Sequence, residues 1–90
     1  MRIVAVCGLG IGTSIILKMN AENALSELGI DATVEAVSVA EIRRSGQDAD
    51  IILTTPDLAE ILVGFTAQII SIDHVIDKQI IKEKLEKALL

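Results

Sequence analysis

The sequence contains no tryptophan or tyrosine, and its one aromatic residue is Phe65. Because 51% of the residues are nevertheless hydrophobic, the core must be packed from isoleucine, valine, leucine and alanine, which suits the buried strands of a parallel sheet. Ninety residues provide enough core for one domain and too little for two. We therefore predict a single domain spanning residues 1–90.

Basic residues are also scarce, since 8 Lys and Arg stand against 13 Asp and Glu, for a formal net charge of −5 at pH 7. The chain has no basic cluster and no interleaved aromatic side chains that stack on bases. Nucleic-acid binders are recognised by those two features. We therefore exclude nucleic acid as a partner.

Long apolar runs are missing as well, because Gly8, Gly10 and Gly12 interrupt the N-terminal apolar segment. No stretch reaches the roughly 18 apolar residues of a membrane-spanning helix, and no small-residue cleavage site of a secretory signal is present. One cysteine cannot form an intramolecular disulfide. We therefore expect the chain in a reducing compartment, the cytoplasm.

Histidine occurs once, as His74, and no further ligand stands at metal-binding spacing from it. Metal sites normally combine several His, Cys, Asp or Glu side chains. The sequence therefore predicts neither a metal site nor a cofactor. A role for His74 in a loop is favoured over phosphohistidine chemistry.

Short apolar runs predict four β-strands, at residues 3–6, 33–39, 51–54 and 68–72. Helical periodicity follows each strand, at residues 13–28 and 40–44, from residue 56 to an end near Gly64, and at residues 78–89. Strands that alternate with helices imply right-handed crossovers and a parallel sheet. We predict an α/β fold, a four-stranded parallel open sheet with helices on both faces, in which the second strand lies at an edge.

Particular residues set the predicted helix ends. Gly29 ends the first helix in a left-handed cap, and Thr55 precedes Pro56 at the first position of the third. Asp77 caps the last helix. The apolar face of the third helix is predicted to be Leu58, Ile61, Leu62 and Phe65, and the lysines of the last helix, Lys78, Lys82, Lys84 and Lys87, are predicted to face water.

A glycine-rich loop, Cys7-Gly8-Leu9-Gly10-Ile11-Gly12-Thr13-Ser14, joins the first predicted strand to the first helix. Backbone N–H groups without partners at a helix start converge on an anion. The same environment lowers the pKa of a thiol from about 8.5 and favours the thiolate. We therefore predict Cys7 as a nucleophile that takes up a phosphoryl group. The predicted phosphate-binding residues are Gly8, Leu9, Gly10, Ile11, Gly12, Thr13 and Ser14.

Other loop chemistries fit these residues less well. A nucleotide-binding P-loop requires a lysine before its Ser or Thr, and Gly12 precedes Thr13 here. A dinucleotide fingerprint requires G-x-G-x-x-G, whereas this loop gives G-x-G-x-G. A C-x5-R phosphatase requires arginine at position 13 to stabilise the transferred charge. A cysteine phosphatase or arsenate-reductase-like enzyme and a noncatalytic anion-binding module are kept as alternatives.

The sequence resembles the IIB component of the sugar phosphotransferase system, closest to the ascorbate-type branch. Three segments carry this resemblance: the strand before Cys7, the glycine-rich loop, and the continuation Leu17-Lys18-Met19-Asn20. Mannitol-type and galactitol-type relatives carry similar loops. The resemblance implies a Rossmann-like or phosphatase-like cysteine P-loop fold. It also implies that Cys7 accepts phosphate from a phosphohistidine of a IIA protein and passes it to a sugar carried by the membrane IIC component. The implied product is L-ascorbate 6-phosphate, with galactitol or another sugar as the alternative.

Ligands of open α/β sheets bind at the carboxyl ends of the strands, and four further polar residues are expected at or near that edge: Thr54, Asp57, Asp73 and His74. Capping and turn formation explain the two acids as well as proton transfer does. Leu9 and Ile11 are apolar loop positions that suit contact with a partner and local packing equally well.

Overall fold

The computed structural model describes residues 1–6, 11–45, 47–62, 64–74 and 76–90. Within these ranges the strands are β1 (Arg2–Val6), β2 (Thr33–Val37), β3 (Ile51–Thr54) and β4 (Gln68–Ser71). The helices there are α1 (Ile11–Leu28), α2 (Ile42–Ser45), α3 (Pro56–Ala59) and α4 (Lys78–Leu89). Strands and helices alternate along the chain, as predicted.

The strands form a sheet in the order β2-β1-β3-β4, and every neighbouring pair is parallel. Ala5 of the central strand β1 lies opposite Ala36 of β2 and Leu53 of β3. Because the strands run in one direction, their carboxyl ends share one edge, where an open sheet of this kind binds its ligands. The predicted parallel sheet and the edge position of β2 are confirmed.

Alternate residues of the strands face opposite sides of the sheet, and each side has its own core. One side packs against α1 and α4, and the buried residues of this core include Ile3, Ala5, Leu53, Leu17, Ala21, Ile81 and Leu85. The other side packs against α2 and α3, with Val4, Val6, Ile52, Ile42, Leu58 and Leu62 buried. Helices therefore cover both faces, as predicted.

Two predicted helix ends are confirmed by their geometry. Gly29 adopts φ +71°, the left-handed conformation in which glycine carries no steric penalty. The carboxylate of Asp77 accepts hydrogen bonds from the backbone N–H groups of Gln79 at 3.1 Å and Ile80 at 3.2 Å. Asp77 therefore caps the N-terminus of α4.

The third predicted helix is wrong in its extent. α3 ends at Ala59, and the side chain of Ile61 is 56% exposed instead of lying on the core face. Leu58 and Leu62 are buried and Phe65 is half-buried, so a turn brings to the core the residues that the periodicity assigned to a continuous helix. A residue spacing of three or four does not distinguish the two.

Smaller differences concern the ends of β2 and α1 and two lysines of α4. β2 ends at Val37 instead of residue 39, and α1 begins at Ile11, two residues before the predicted start. Lys82 and Lys84, predicted to face water, are half-buried. The ammonium of Lys84 donates a hydrogen bond to the carbonyl of Ser71, and its long aliphatic stem lets the charged group reach the end of β4 while the stem packs on the protein.

Candidate functional site

The predicted site begins at Cys7, and Cys7, Gly8, Leu9 and Gly10 lie outside the described residues. The elements on either side are described: β1 ends at Val6 and α1 begins at Ile11. β1 has a strand on each side, and α1 is 18 residues long. The cysteine therefore follows the carboxyl end of a central strand and precedes the N-terminus of a long helix, the connection that the predicted anion site requires.

The first turn of α1 holds the described part of the predicted phosphate-binding loop. In it Gly12 is exposed, Thr13 is half-buried and Ser14 is fully buried. This turn contains no acidic residue. The N-terminal end of a helix carries a partial positive charge from its unpaired N–H groups, and here no carboxylate of the same turn opposes it. The electrostatics of this helix start therefore favour an anion.

Gly12 has open space around it. Among the described residues, a Cβ added at this position meets no heavy atom within 4 Å, and the φ of Gly12 lies outside the left-handed range. Neither the packing nor the backbone conformation of the described residues requires glycine there.

Thr54 ends β3 and has an unusual side chain. It is 0% exposed, and among the described residues its Oγ1 finds no hydrogen-bond partner. A buried hydroxyl without a partner costs about 1–3 kcal/mol, and most such groups in proteins are satisfied. Thr54 was expected at the carboxyl edge of the sheet, and β3 places it there.

Thr55 and Asp57 follow directly. Thr55 occupies the N-cap position of α3 with extended φ and ψ of −97° and 161°, but its side chain makes no capping hydrogen bond. Its hydroxyl instead donates to Oδ1 of Asp57 at 2.6 Å. This hydrogen bond, together with those from the backbone N–H groups of Asp57 and Leu58, lowers the pKa of the exposed Asp57 carboxyl. These hydrogen bonds therefore stabilise the anionic form of Asp57.

Asp73 and His74 follow β4, and both are exposed. The carbonyl of His74 accepts a hydrogen bond of 3.0 Å from the backbone N–H of Asp77, so His74 lies in the turn that leads into α4. In the part of the chain that the structure describes, no group of three or more His, Cys, Asp or Glu side chains is arranged to hold a metal ion.

An apolar surface on α1, formed by Ile15, Ile16 and Met19, begins one residue after the phosphate-binding loop. Their side chains are 44%, 43% and 55% exposed. They lie away from the buried stripe of Leu17 and Ala21, which packs on the sheet. We did not predict this surface from the sequence, although apolar residues off the Leu17 stripe are the signal that reveals it.

Comparison with known proteins identifies the class. A sequence model of the family described as the lactose/cellobiose-specific IIB subunit of the phosphotransferase system matches residues 2–87. The chain therefore belongs to the IIB components of this sugar phosphotransferase system, and it acts as a phosphocarrier, a phosphotransferase that works with IIA and IIC components and a sugar.

Individual relatives refine this assignment. The ascorbate-specific EIIB component of Mycoplasma pneumoniae is 36% identical, across 99% of this chain and 95% of its own length. The corresponding protein of Shigella dysenteriae is 33% identical, across 99% of this chain and 89% of its own. The resemblance to the ascorbate-type branch is confirmed at the level of sequence.

A solved structure shows the fold. The lactose-specific IIB domain of Streptococcus pneumoniae superimposes with a TM-score of 0.66, although it is only 13% identical, and the match covers 99% of this chain and 94% of that one. The predicted α/β architecture is thereby confirmed. In the described ranges no helix combines the length and apolarity needed to cross a bilayer.

Proposed function

We propose that Cys7 carries the phosphoryl group, taking it from a phosphohistidine of a IIA protein and delivering it to L-ascorbate held by a membrane IIC component. The observation that carries this proposal is the position of Cys7 between the carboxyl end of central strand β1 and the acid-free first turn of α1. A helix start lowers the pKa of a nearby thiol and binds phosphate. One loop thus serves both the nucleophile and its product.

The first transfer loads the cysteine. The Cys7 thiol loses its proton to solvent, and the thiolate sulfur attacks the phosphorus of the donor phosphohistidine. An S–P bond forms as the N–P bond breaks, and the electron pair of the broken bond stays on the imidazole nitrogen. Backbone N–H groups of Gly8 to Ser14 bind the oxygens of the transferred group and stabilise the charge on it.

The second transfer releases the phosphoryl group. A hydroxyl oxygen of the sugar attacks the phosphorus, the S–P bond breaks, and the hydroxyl proton is lost to solvent. Cys7 returns to the thiolate, and the product is L-ascorbate 6-phosphate. The names of relatives that align with almost the whole chain support ascorbate. Galactitol, or the lactose and cellobiose named in the family description, are the sugars against which ascorbate must be tested.

Delivery from one protein to another requires a docking surface beside the reacting sulfur. The exposed residues Ile15, Ile16 and Met19 follow the loop on α1, so a donor that reaches Cys7 also covers them. We propose this apolar surface as part of the IIA contact, and we propose Leu9 and Ile11 as further contact residues from their apolar character in the sequence. The thiol must stay reduced between turnovers, which places the reaction in the cytoplasm.

The phosphatase alternative has less support. The C-x5-R pattern lacks its arginine, since Thr13 stands at that position. That arginine would stabilise the transferred charge, so its absence favours transfer to an acceptor over transfer to water.

The proposal is tested by reconstituting the relay. Phosphorylated IIA donor, this protein and membranes containing an ascorbate-type IIC component are mixed with ascorbate, galactitol, lactose or cellobiose, and the sugar phosphates are measured. We expect ascorbate phosphate to form with wild-type protein and not with Cys7→Ser. Phosphorylation of another sugar in preference contradicts the assignment of ascorbate, and release of inorganic phosphate from small esters without any partner supports the phosphatase.

A further inference from the structure

Thr54 is a buried polar residue that the proposed mechanism does not use. Its side chain is 0% exposed, and its hydroxyl is unpaired among the described residues. The backbone carbonyl of Thr54 is satisfied, because it accepts a hydrogen bond of 2.7 Å from the N–H of Ile72. The hydroxyl is therefore the group at this position whose purpose is unexplained.

The register of the sheet places Thr54 beside the start of the cysteine loop. Ala5 lies opposite Leu53, so the next residues, Val6 and Thr54, end neighbouring strands about 4.8 Å apart. Cys7 is bonded to Val6, and consecutive Cα atoms are about 3.8 Å apart. Thr54 therefore ends the strand beside β1, whose last residue, Val6, is followed in the sequence by Cys7.

Packing does not explain a threonine here. Alternation along β3 puts residue 54 on the same side of the sheet as Ile52, where the neighbours in the core are aliphatic, such as Val4 and Val6. Valine has the same shape and would leave no polar atom unpaired there. Threonine is more stabilising than valine at this position only when an acceptor for its hydroxyl is present.

We propose that Thr54 is a further phosphate-binding residue, whose hydroxyl donates a hydrogen bond to an oxygen of the phosphoryl group on Cys7. This inference rests on the proposed function, since it requires Cys7 to carry that group. The acceptor arrives with the phosphoryl group, and before transfer the hydroxyl has no partner among the described residues. Hydrogen bonds to charged oxygens are about twice as strong as those between neutral groups, so Thr54 stabilises the phosphorylated state over the unphosphorylated one.

The test compares Thr54→Val with Thr54→Ser, which retains the hydroxyl. Each protein is mixed with a phosphorylated IIA donor, and the equilibrium between donor and carrier is measured by intact mass, with the phosphate located by digestion. We expect Thr54→Val to shift the equilibrium towards the donor by roughly tenfold, and Thr54→Ser to stay close to wild type. Thermal midpoints should show a smaller gain on phosphorylation for Thr54→Val than for wild type.

Equal equilibria and equal gains on phosphorylation for wild type and Thr54→Val, with phosphate on Cys7 in both, would overturn the role of Thr54 and leave the proposed function standing. If Thr54→Val changes the thermal midpoint of the phosphorylated and the unphosphorylated protein by the same amount relative to wild type, Thr54 serves packing alone. Wild-type protein without phosphate on Cys7 would overturn the proposed function itself.

Discussion

The hydroxyl of Thr55 and the carboxylate of Asp57 form a 2.6 Å hydrogen bond just beyond the end of β3. The bond lies within the loop that begins α3, at the edge of the sheet where the carboxyl ends of the strands meet. It lowers the pKa of Asp57, with smaller contributions from backbone N–H groups. The hydrogen bond therefore favours the ionised form of the Asp57 carboxyl.

Thr55→Val should raise the pKa of Asp57 towards its ordinary value, because the substitution removes the largest cause of the lowering. A lowered carboxyl pKa contributes stability at pH values above the unfolded pKa, and this contribution is lost as the pH falls through the folded pKa. NMR titration of the Asp57 carboxyl carbon measures the shift. Thr55→Ser, which keeps the hydroxyl, is the control. An unchanged pKa in Thr55→Val would show that the hydrogen bond is absent in solution.

Gly12→Ala should separate stability from phosphoryl transfer. The methyl group enters open space at a helical position, so the free energy of unfolding should rise by about 0.5–1 kcal/mol. The proposed function places the phosphoryl group and its donor beside Gly12, so the methyl group should hinder their approach and lower the rate of transfer from a IIA donor by roughly tenfold or more. Urea unfolding and rapid-quench transfer assays measure the two effects.

Gly29→Ala provides the matched control for that variant. Gly29 has φ +71°, which alanine adopts only with strain, so this substitution should destabilise the protein by about 1 kcal/mol. Its transfer rate should stay at the wild-type level, because Gly29 lies at the opposite end of α1 from the loop. Unchanged transfer in Gly12→Ala would contradict the use of the space beside Gly12.

Met19→Glu should weaken docking of the IIA donor. Met19 is 55% exposed, so a charge there leaves the fold intact but disrupts an apolar contact. The donor concentration at half-maximal transfer should rise by roughly tenfold. The control is Ile61→Glu, since Ile61 is 56% exposed and follows α3, which packs on the other face of the sheet. Equal effects of the two substitutions would show that the apolar surface on α1 is not the docking site.

Asp77→Ala should destabilise the protein by about 1 kcal/mol, the usual cost of removing an N-cap side chain. The carboxylate accepts hydrogen bonds from two backbone N–H groups of α4, and α4 buries Ile81 and Leu85 against the sheet. Urea unfolding measures the change, and Asp77→Asn should recover most of it. A loss of stability in Asp77→Asn as large as in Asp77→Ala would indicate that charge, not capping, is the dominant effect.

Much of the fold is predictable because its signals are local. The β-branched runs predict the strands, and Gly29 and Asp77 mark helix ends through backbone geometry that depends on only a few neighbouring residues. α3 is different, because Leu58, Ile61, Leu62 and Phe65 have helical spacing whether the helix continues or gives way to a turn. Packing against the sheet decides between these, and no local pattern contains that information.

The candidate site also has a part that the sequence predicts and a part that it does not. The strand, the glycine-rich loop and the helix that flank Cys7 follow from residue order, and so does the position of Thr54 at the carboxyl edge. The sequence does not predict whether the Thr54 hydroxyl has a hydrogen-bond partner, because the partners of a buried group come from residues distant in sequence. The hydrogen bond from Thr55 to Asp57 was also missed, since a threonine before Pro56 predicts a capping side chain and does not reveal that its hydroxyl donates instead.

The most direct measurement is the location of phosphate on the protein after incubation with a phosphorylated IIA donor, determined by mass spectrometry under conditions that preserve thiophosphate esters. We predict one phosphate per chain, on Cys7, and none on Cys7→Ser. Phosphate on another side chain such as His74, or an unmodified wild-type protein beside a fully competent donor, would contradict the assignment of Cys7 as the phosphoryl carrier.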